Sequence, residues 1–392
     1  MSRRARRAAI IGGGLAGLTC ALRLNERNPA LSVTLYEQDE IGGTSAFAIG
    51  SFTAAGTKWQ RNAGIVDAPA EHFTTLLELC EFDGDDRDVE RYHALLRDCC
   101  SAGAETLERL AAWGLFFAGP FLEPPHPKPR MHNVISSGAA MMALLRMRLD
   151  PTDVEVREHS PVRGIARHGD AFEIATDKSR DSYDELVIAC GDRSARTGSI
   201  PARNPRATGE PIEMIADLCA AKTHRPQCAV GLRAVATGAP SIAPDPKFLA
   251  ACDVLVDGAT VPGRQLLDEP APFAAHDLFL LVTDAQRFMR ERVSTYPAIG
   301  YATLADLLPT SLVAGREPLR LGPFRVVVSF VDGALDVDSA MRVLGADRAP
   351  VAHLYACGSA GVGGMRLEGH GHHLLWAAHG GLLAAHAITH AE

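Results

Sequence analysis

The sequence predicts an α/β protein built on a parallel sheet, with a second domain inserted late in the chain, and three observations carry that expectation. A short apolar run at residues 8–11 meets a glycine-rich turn and then an Ala/Leu-rich stretch at helical spacing through Leu24. A second strand-like run, residues 32–37, follows and completes a strand–helix–strand pattern. From about Asn204 to Gly322 the chain turns rich in proline and that rhythm disappears, which marks an insertion. Strands at residues 324–330 and 351–356 and a helix at 374–388 then resume the first pattern, so residues 1–203 and 323–392 should form one discontinuous domain and residues 204–322 another.

Within the first part, residues 67–113 carry apolar positions three and four apart and read as helix, and the proline-rich stretch 120–129 interrupts the chain. Residues 138–149 read as a further helix. Residues 154–158, 162–167, 171–176 and 186–190 read as short strands, a small meander leading back into the parallel sheet.

Bulk properties exclude several function classes. A hydrophobic content of 47%, a charged content of 22% and a mean hydropathy of +0.01 describe a folded globular chain. The net charge of −8 argues against a nucleic-acid partner, which requires a basic face. Arg3, Arg4, Arg6 and Arg7 form the only basic cluster and read as a solvated tail; the apolar stretch behind them is the glycine turn, which an export cleavage would remove. No uncharged apolar run reaches the roughly 18 residues of a membrane span. The nine cysteines are odd in number and none forms C-x-x-C, which favours a reduced, cytoplasmic setting, with Cys99 and Cys100 buried in a helix.

Gly12-x-Gly14-x-x-Gly17 sits where the first strand meets the first helix, and Glu37 ends the next strand twenty residues beyond Gly17. Gly12 permits a tight turn, Gly14 lets backbone approach a pyrophosphate, and Gly17, one residue past Ala16, lets helix and strand pack closely. Glu37 suits the ribose hydroxyls of an adenosine half. The fingerprint alone does not separate NAD from FAD. A second glycine pair, Gly42-Gly43-Thr44-Ser45, favours FAD, because it offers another close backbone approach just past the ribose acid.

From there a resemblance becomes specific. Residues 42–58, from Gly42 through Thr44, Ser45, Ile49, Gly50 and Ser51 to Lys58, resemble the flavin-contacting segment G-G-x-[ST]-x-x-A-x-G-G-x-N-A-x-G-T-K of the succinate dehydrogenase/fumarate reductase flavoprotein family. The likeness continues at residues 63–69 and at 207–214, which resemble A-T-G-[DE]-G-I-x-M. It returns at 333–338, 342–344 and 354–358, similar to G-G-L-x-I-D, R-V-L and L-Y-A-x-G. It spans most of the chain in the family's order and is weakest between about 225 and 320. It implies a Rossmann-like FAD-binding domain, an inserted α+β capping domain, and FAD held non-covalently, because no histidine occurs between Met1 and Lys58. Further cofactor contacts are implied at Val162, Gly191, Gly358, Ser359, which replaces an acid usual after Y-A-x-G, and at His373 and Leu374 in the first turn of the last helix.

The same resemblance implies hydride transfer between flavin N5 and a carbon beside a carbonyl or carboxylate, in a small-molecule substrate with carboxylates among the candidates. His132 resembles the family's substrate histidine, and Arg366 the arginine that clamps a carboxylate through its planar fork. Residues 329–334, Ser-Phe-Val-Asp-Gly-Ala, stand where fumarate reductases carry histidines, and Phe273 falls where their proton-donating arginine is expected. Enoate-type reduction or the reverse desaturation is therefore expected, with a tyrosine, Tyr301 or Tyr296, as acid or base. Oxidation of an amine or alcohol, or a non-catalytic or electron-transferring flavoprotein subunit serving a partner, are the alternatives. His370, His372 and His373 are read as neighbours of the flavin, with no metal expected.

Overall fold

The computed structural model describes residues 6–123, 126–196, 200–201, 204–224, 227–235, 241–243, 246–283, 292–296, 301–303, 313–314, 318–368 and 371–390. It divides into two compact units. The first comprises residues 1–192, 209–225 and 332–392, and the second residues 193–208 and 226–331.

The first unit is organised around a six-stranded sheet. Its strands and helices are β1 (Arg7–Ile11), α1 (Leu15–Arg27), β2 (Ser32–Tyr36), β3 (Ser51–Thr53), α2 (Pro69–Leu79), α3 (Asp86–Ala112), β4 (Phe117–Phe121), β5 (Met131–Val134) and α4 (Gly138–Leu149). There follow β6 (Glu155–Arg157), β7 (Val162–His168), β8 (Ala171–Thr176), β9 (Arg180–Tyr183), β10 (Glu185–Ile188), β11 (Arg342–Leu344), β12 (Pro350–Ala356), β13 (Met365–Arg366) and α5 (His372–His390). The sheet order is β11-β12-β10-β1-β2-β6, and all neighbours run parallel except β11 and β12.

Central position explains the sequence of β1: Ala8, Ala9, Ile10 and Ile11 are buried because α1 and α5 and the strands of the 162–183 meander pack against this sheet. Burying a side chain such as Ile10 is worth roughly 1.5–3 kcal/mol. In α1 the residues Leu15, Leu18, Leu22 and Leu24 are buried, and the helix packs along α5. The meander is β7-β8-β9, antiparallel throughout, and β3-β5-β4 form a third small sheet.

Three details differ from the sequence reading. The helical stretch at 67–113 is two helices, broken over residues 80–85, where Asp85 accepts hydrogen bonds from the N–H groups of Arg87 and Asp88 and so starts a new helix. The strand expected at 154–158 is β6, which pairs with β2 in the main sheet; the meander's third strand is instead β9. The strand expected at 324–330 is longer, Leu319–Asp332, and pairs with Leu278–Val282 in the second unit.

The second unit is a largely antiparallel sheet with short helices at Pro246–Ala250 and Gly263–Asp268. Its own core gathers Leu232, Phe248, Val254, Leu266, Leu280, Phe324 and Val328. The described cysteines are all free thiols, and no helix among the described residues is long and apolar enough to cross a membrane.

Candidate functional site

Parallel pairing sets the carboxyl ends of four strands side by side. Ile11 stands opposite Tyr36 and Ile188, and Ile188 opposite Ala356. The turns that leave these strands carry Gly12, Glu37, Gly191 and Gly358, so residues spread over the whole sequence meet along one sheet edge. Strand order reverses at β1, with β2 and β6 extending the sheet to one side and the later strands β10 and β12 to the other, which opens the crevice where open α/β sheets bind ligands.

The glycines divide into two kinds. A Cβ on Gly17 would stand 1.9 Å from the Gly12 carbonyl oxygen, and one on Gly12, at φ +113°, would stand 2.3 Å from that of Ala189. These two are demanded by packing. At Gly14 an added Cβ would meet nothing nearer than Ser45 Oγ at 3.7 Å, and at Gly191, φ +80°, nothing within 4 Å. These two border open space.

Gly14 also precedes α1, whose first turn has neither an acid nor a side-chain cap, so its amides present positive potential. Leu15 N–H donates to Ser45 Oγ at 3.2 Å, and Gly42 N–H to the Gly13 carbonyl at 3.0 Å, which ties the second glycine pair to the first turn. The buried Glu37 carboxylate accepts from Gly13 N–H at 2.7 Å and Asp39 N–H at 3.1 Å. An open cradle of amides beside a fixed acid is the donor and acceptor set that an adenine dinucleotide requires.

The other expected cofactor residues extend this edge. Gly43 lies with its Cβ direction 3.4 Å from Gly14 Cα, while Thr44, Ser45 and Ile49 are half-buried. Gly50 and Ser51 lead into β3, and Val162 opens β7, buried. Gly358 abuts Ala16 and its carbonyl accepts from Trp376 Nε1 at 3.1 Å; Ser359 is half-buried in the following turn. His373 and Leu374 occupy the first turn of α5, and His373 Nε2 lies 3.2 Å from both carboxylate oxygens of Asp332. Asp332 is fully buried and also accepts from Leu367 N–H at 3.0 Å. The sequence reading passed over Asp332, although it stood within the stretch that replaces the family's histidines.

The expected substrate residues fare unequally. Arg366 is buried on β13, opposite Glu81; its Nε lies 2.8 Å from Glu368 Oε1 and its Nη1 3.5 Å from Glu81 Oε2. An internal carboxylate thus already stands on the arginine fork. Burial pushes the Glu368 carboxyl above its usual range, with nearby Arg366 opposing and Asp332 adding to the shift.

His132 lies on β5 and is buried. Its Nδ1–H donates to the Arg130 carbonyl at 2.8 Å, so Nε2 holds the lone pair and accepts from Thr57 Oγ1 at 2.9 Å. Burial lowers its pKa to about 4, against the backbone hydrogen bonds that raise it. This neutral ring has both nitrogens engaged, and it ties β5 to Thr57, the N-cap of the short helix Lys58–Asn62. Tyr301 and Tyr296 fall in the strands Tyr301–Thr303 and Arg292–Tyr296, and their side chains lie outside the described residues.

Residues 7–196 match the family model of an FAD binding domain. Among curated proteins no sequence matches the chain. Among solved structures, a flavocytochrome c3 fumarate reductase superposes with a TM-score of 0.68 at 14% identity, covering 98% of this chain and 78% of that one. A 3-ketosteroid-Δ4-(5α)-dehydrogenase from Rhodococcus jostii RHA1 gives 0.64 at 16% identity, covering 99% and 98%. The quinol fumarate reductase FrdA of E. coli gives 0.59 at 14%, covering 98% and 70%.

Proposed function

Because this chain is a flavoprotein, with an FAD-binding domain over residues 7–196 on the fold shared by fumarate reductases and ketosteroid dehydrogenases, we propose that it transfers a hydride to or from a small activated C–C bond. The observation that carries the FAD half is the sheet edge that unites Gly14, Glu37, Gly191 and Gly358, with open space at Gly14 and Gly191. Glu37 would hold the adenosine ribose, Gly12 to Gly14 and the α1 amides the pyrophosphate, and residues 42–51 with the first turn of α5 the flavin half. Bound FAD supplies the hydride acceptor or donor at N5.

The substrate half rests on the turn from β13 to α5. Arg366 is assigned to a substrate carboxylate or polarised carbonyl, which takes the place of Glu368 on its fork. Glu368, with its raised pKa, is assigned the second proton, delivered to the carbon that does not receive hydride. Asp332 holds His373, and with it the first turn of α5, at one angle. Tyr301 is retained as a second acid–base assignment, and residues 204–322 as the capping domain. A small-molecule or protein electron partner in the cytoplasm completes the turnover.

The test is a reduced, FAD-loaded enzyme mixed anaerobically with enoates and enones. Flavin reoxidation with consumption of the alkene is the expected result. A protein that binds no FAD would overturn the cofactor reading. Reoxidation only by a protein or quinone partner would overturn the C–C reading.

A further inference from the structure

Beside the proposed flavin edge lies a group of buried histidines that hydride transfer does not use. His72 comes from α2, His126 from the loop after β4, and His372 is the first residue of α5. Their candidate ligand nitrogens all lie within 4.8 Å of one another, and all three residues are buried. The rings of His72 and His372 meet nitrogen to nitrogen, Nε2 to Nε2 at 3.1 Å. The His126 ring centroid lies 5.0 Å from that of His372 and 5.9 Å from that of His72.

Two features of this group suit a metal. The first is spacing, since tetrahedral zinc with Zn–N bonds of about 2.0–2.1 Å sets its ligand nitrogens roughly 3.3 Å apart, close to the His72–His372 separation. The second is tautomer. His372 Nδ1–H donates to the Glu368 carbonyl at 2.5 Å, which leaves Nε2 carrying a lone pair aimed at His72. A metal-bound imidazole is held in the same way, its second nitrogen donating to a carbonyl.

We propose that His72, His126 and His372 form a zinc site that ties the first turn of α5 to α2 and to His126. This goes beyond the oxidoreductase reading and departs from the expectation of no metal. With three neutral imidazoles as ligands, the fourth position goes to water. By fixing His372 the ion would also fix the adjoining His373, and so the end of α5 nearest the proposed flavin.

The test uses FAD-loaded protein, stripped with a chelator, incubated with Zn2+ and desalted, with metal measured by mass spectrometry and unfolding by heat. About one zinc per chain is expected, with a rise in Tm of about 5 °C at saturating Zn2+. His126→Ala should weaken Zn2+ at least about 100-fold, more than loss of an outer hydrogen-bond partner does. His386 and His390, stacked 4.0 Å apart at the exposed end of α5, are the competing surface site. A His386→Ala/His390→Ala double variant should keep its zinc. Wild-type protein that retains no zinc and shows no Tm shift overturns the site, as does loss of zinc from the double variant but not from His126→Ala. If His126→Ala fails to fold, Co2+ in wild-type protein decides: visible bands of tetrahedral cobalt support the site, and their absence sinks it. Neither readout depends on turnover or on the substrate.

Discussion

The cofactor edge and the turn from β13 to α5 belong to one unit but are built from different materials. The edge is backbone: glycines, amide groups and one acid, placed by strands that end in register. The turn is side chain: Arg366 pairs with Glu368 by charge, and His373 hydrogen-bonds to Asp332. A backbone site is specified by steric rules that act within a few residues, whereas a charged site depends on partners far apart in sequence. Asp332 and His373 are forty-one residues apart, and Arg366 and Glu81 are 285.

The sharpest way to break this comparison is within the edge. Gly17→Val should abolish the folded, yellow protein, because its Cβ would overlap the Gly12 carbonyl. Gly14→Ala should fold with near wild-type far-UV circular dichroism yet lose most bound flavin, since only the open cradle is filled. If both variants fold and bind FAD alike, the division into packing and cradle glycines is wrong.

A second large effect concerns acid. His72 and His132, with pKa values of about 3 and about 4 in the fold, take up protons near pH 6.5 when unfolded. Because the unfolded chain binds more protons, their contribution is present above about pH 6.5 and fades as the pH falls toward 4 and 3. In zinc-free protein the two together should remove up to about 4 kcal/mol between pH 7 and pH 5, seen as a lower urea midpoint. His132→Phe should flatten that dependence by about half.

Within the charged turn, Arg366→Met should lower kcat/KM for acidic substrates by roughly 10–100-fold, the worth of a charge-assisted hydrogen bond, and leave neutral substrates nearly unchanged. Equal losses for both would remove its carboxylate role. The smallest effect is expected at Gly191, where φ is positive but space is free; alanine there should cost about 1 kcal/mol and a few degrees in Tm.

This contrast explains how much was legible beforehand. Gly12, Gly14, Gly17 and Glu37 could be read directly because each spacing answers to one steric or hydrogen-bonding demand, and the parallel sheet followed from them. The strand at 155–157 was misplaced because three alternating residues do not reveal which sheet they join. The engagement of His132 with Thr57 and the Arg130 carbonyl was not legible, because it is a tertiary fact. The His72, His126 and His372 group was half visible: the histidines near the end of the chain stood out, but nothing in the sequence joins them to residues some 250–300 positions earlier.

The place of β12 and α5 has a consequence for biosynthesis. β10 can pair with β1 early, but β12 lies on its other side and α5 packs on α1, and both are translated well after β10. A nascent chain would therefore expose one edge of β10 and one flank of α1 until residues 350–390 have been made. Loading of FAD should be completed only when α5 has docked.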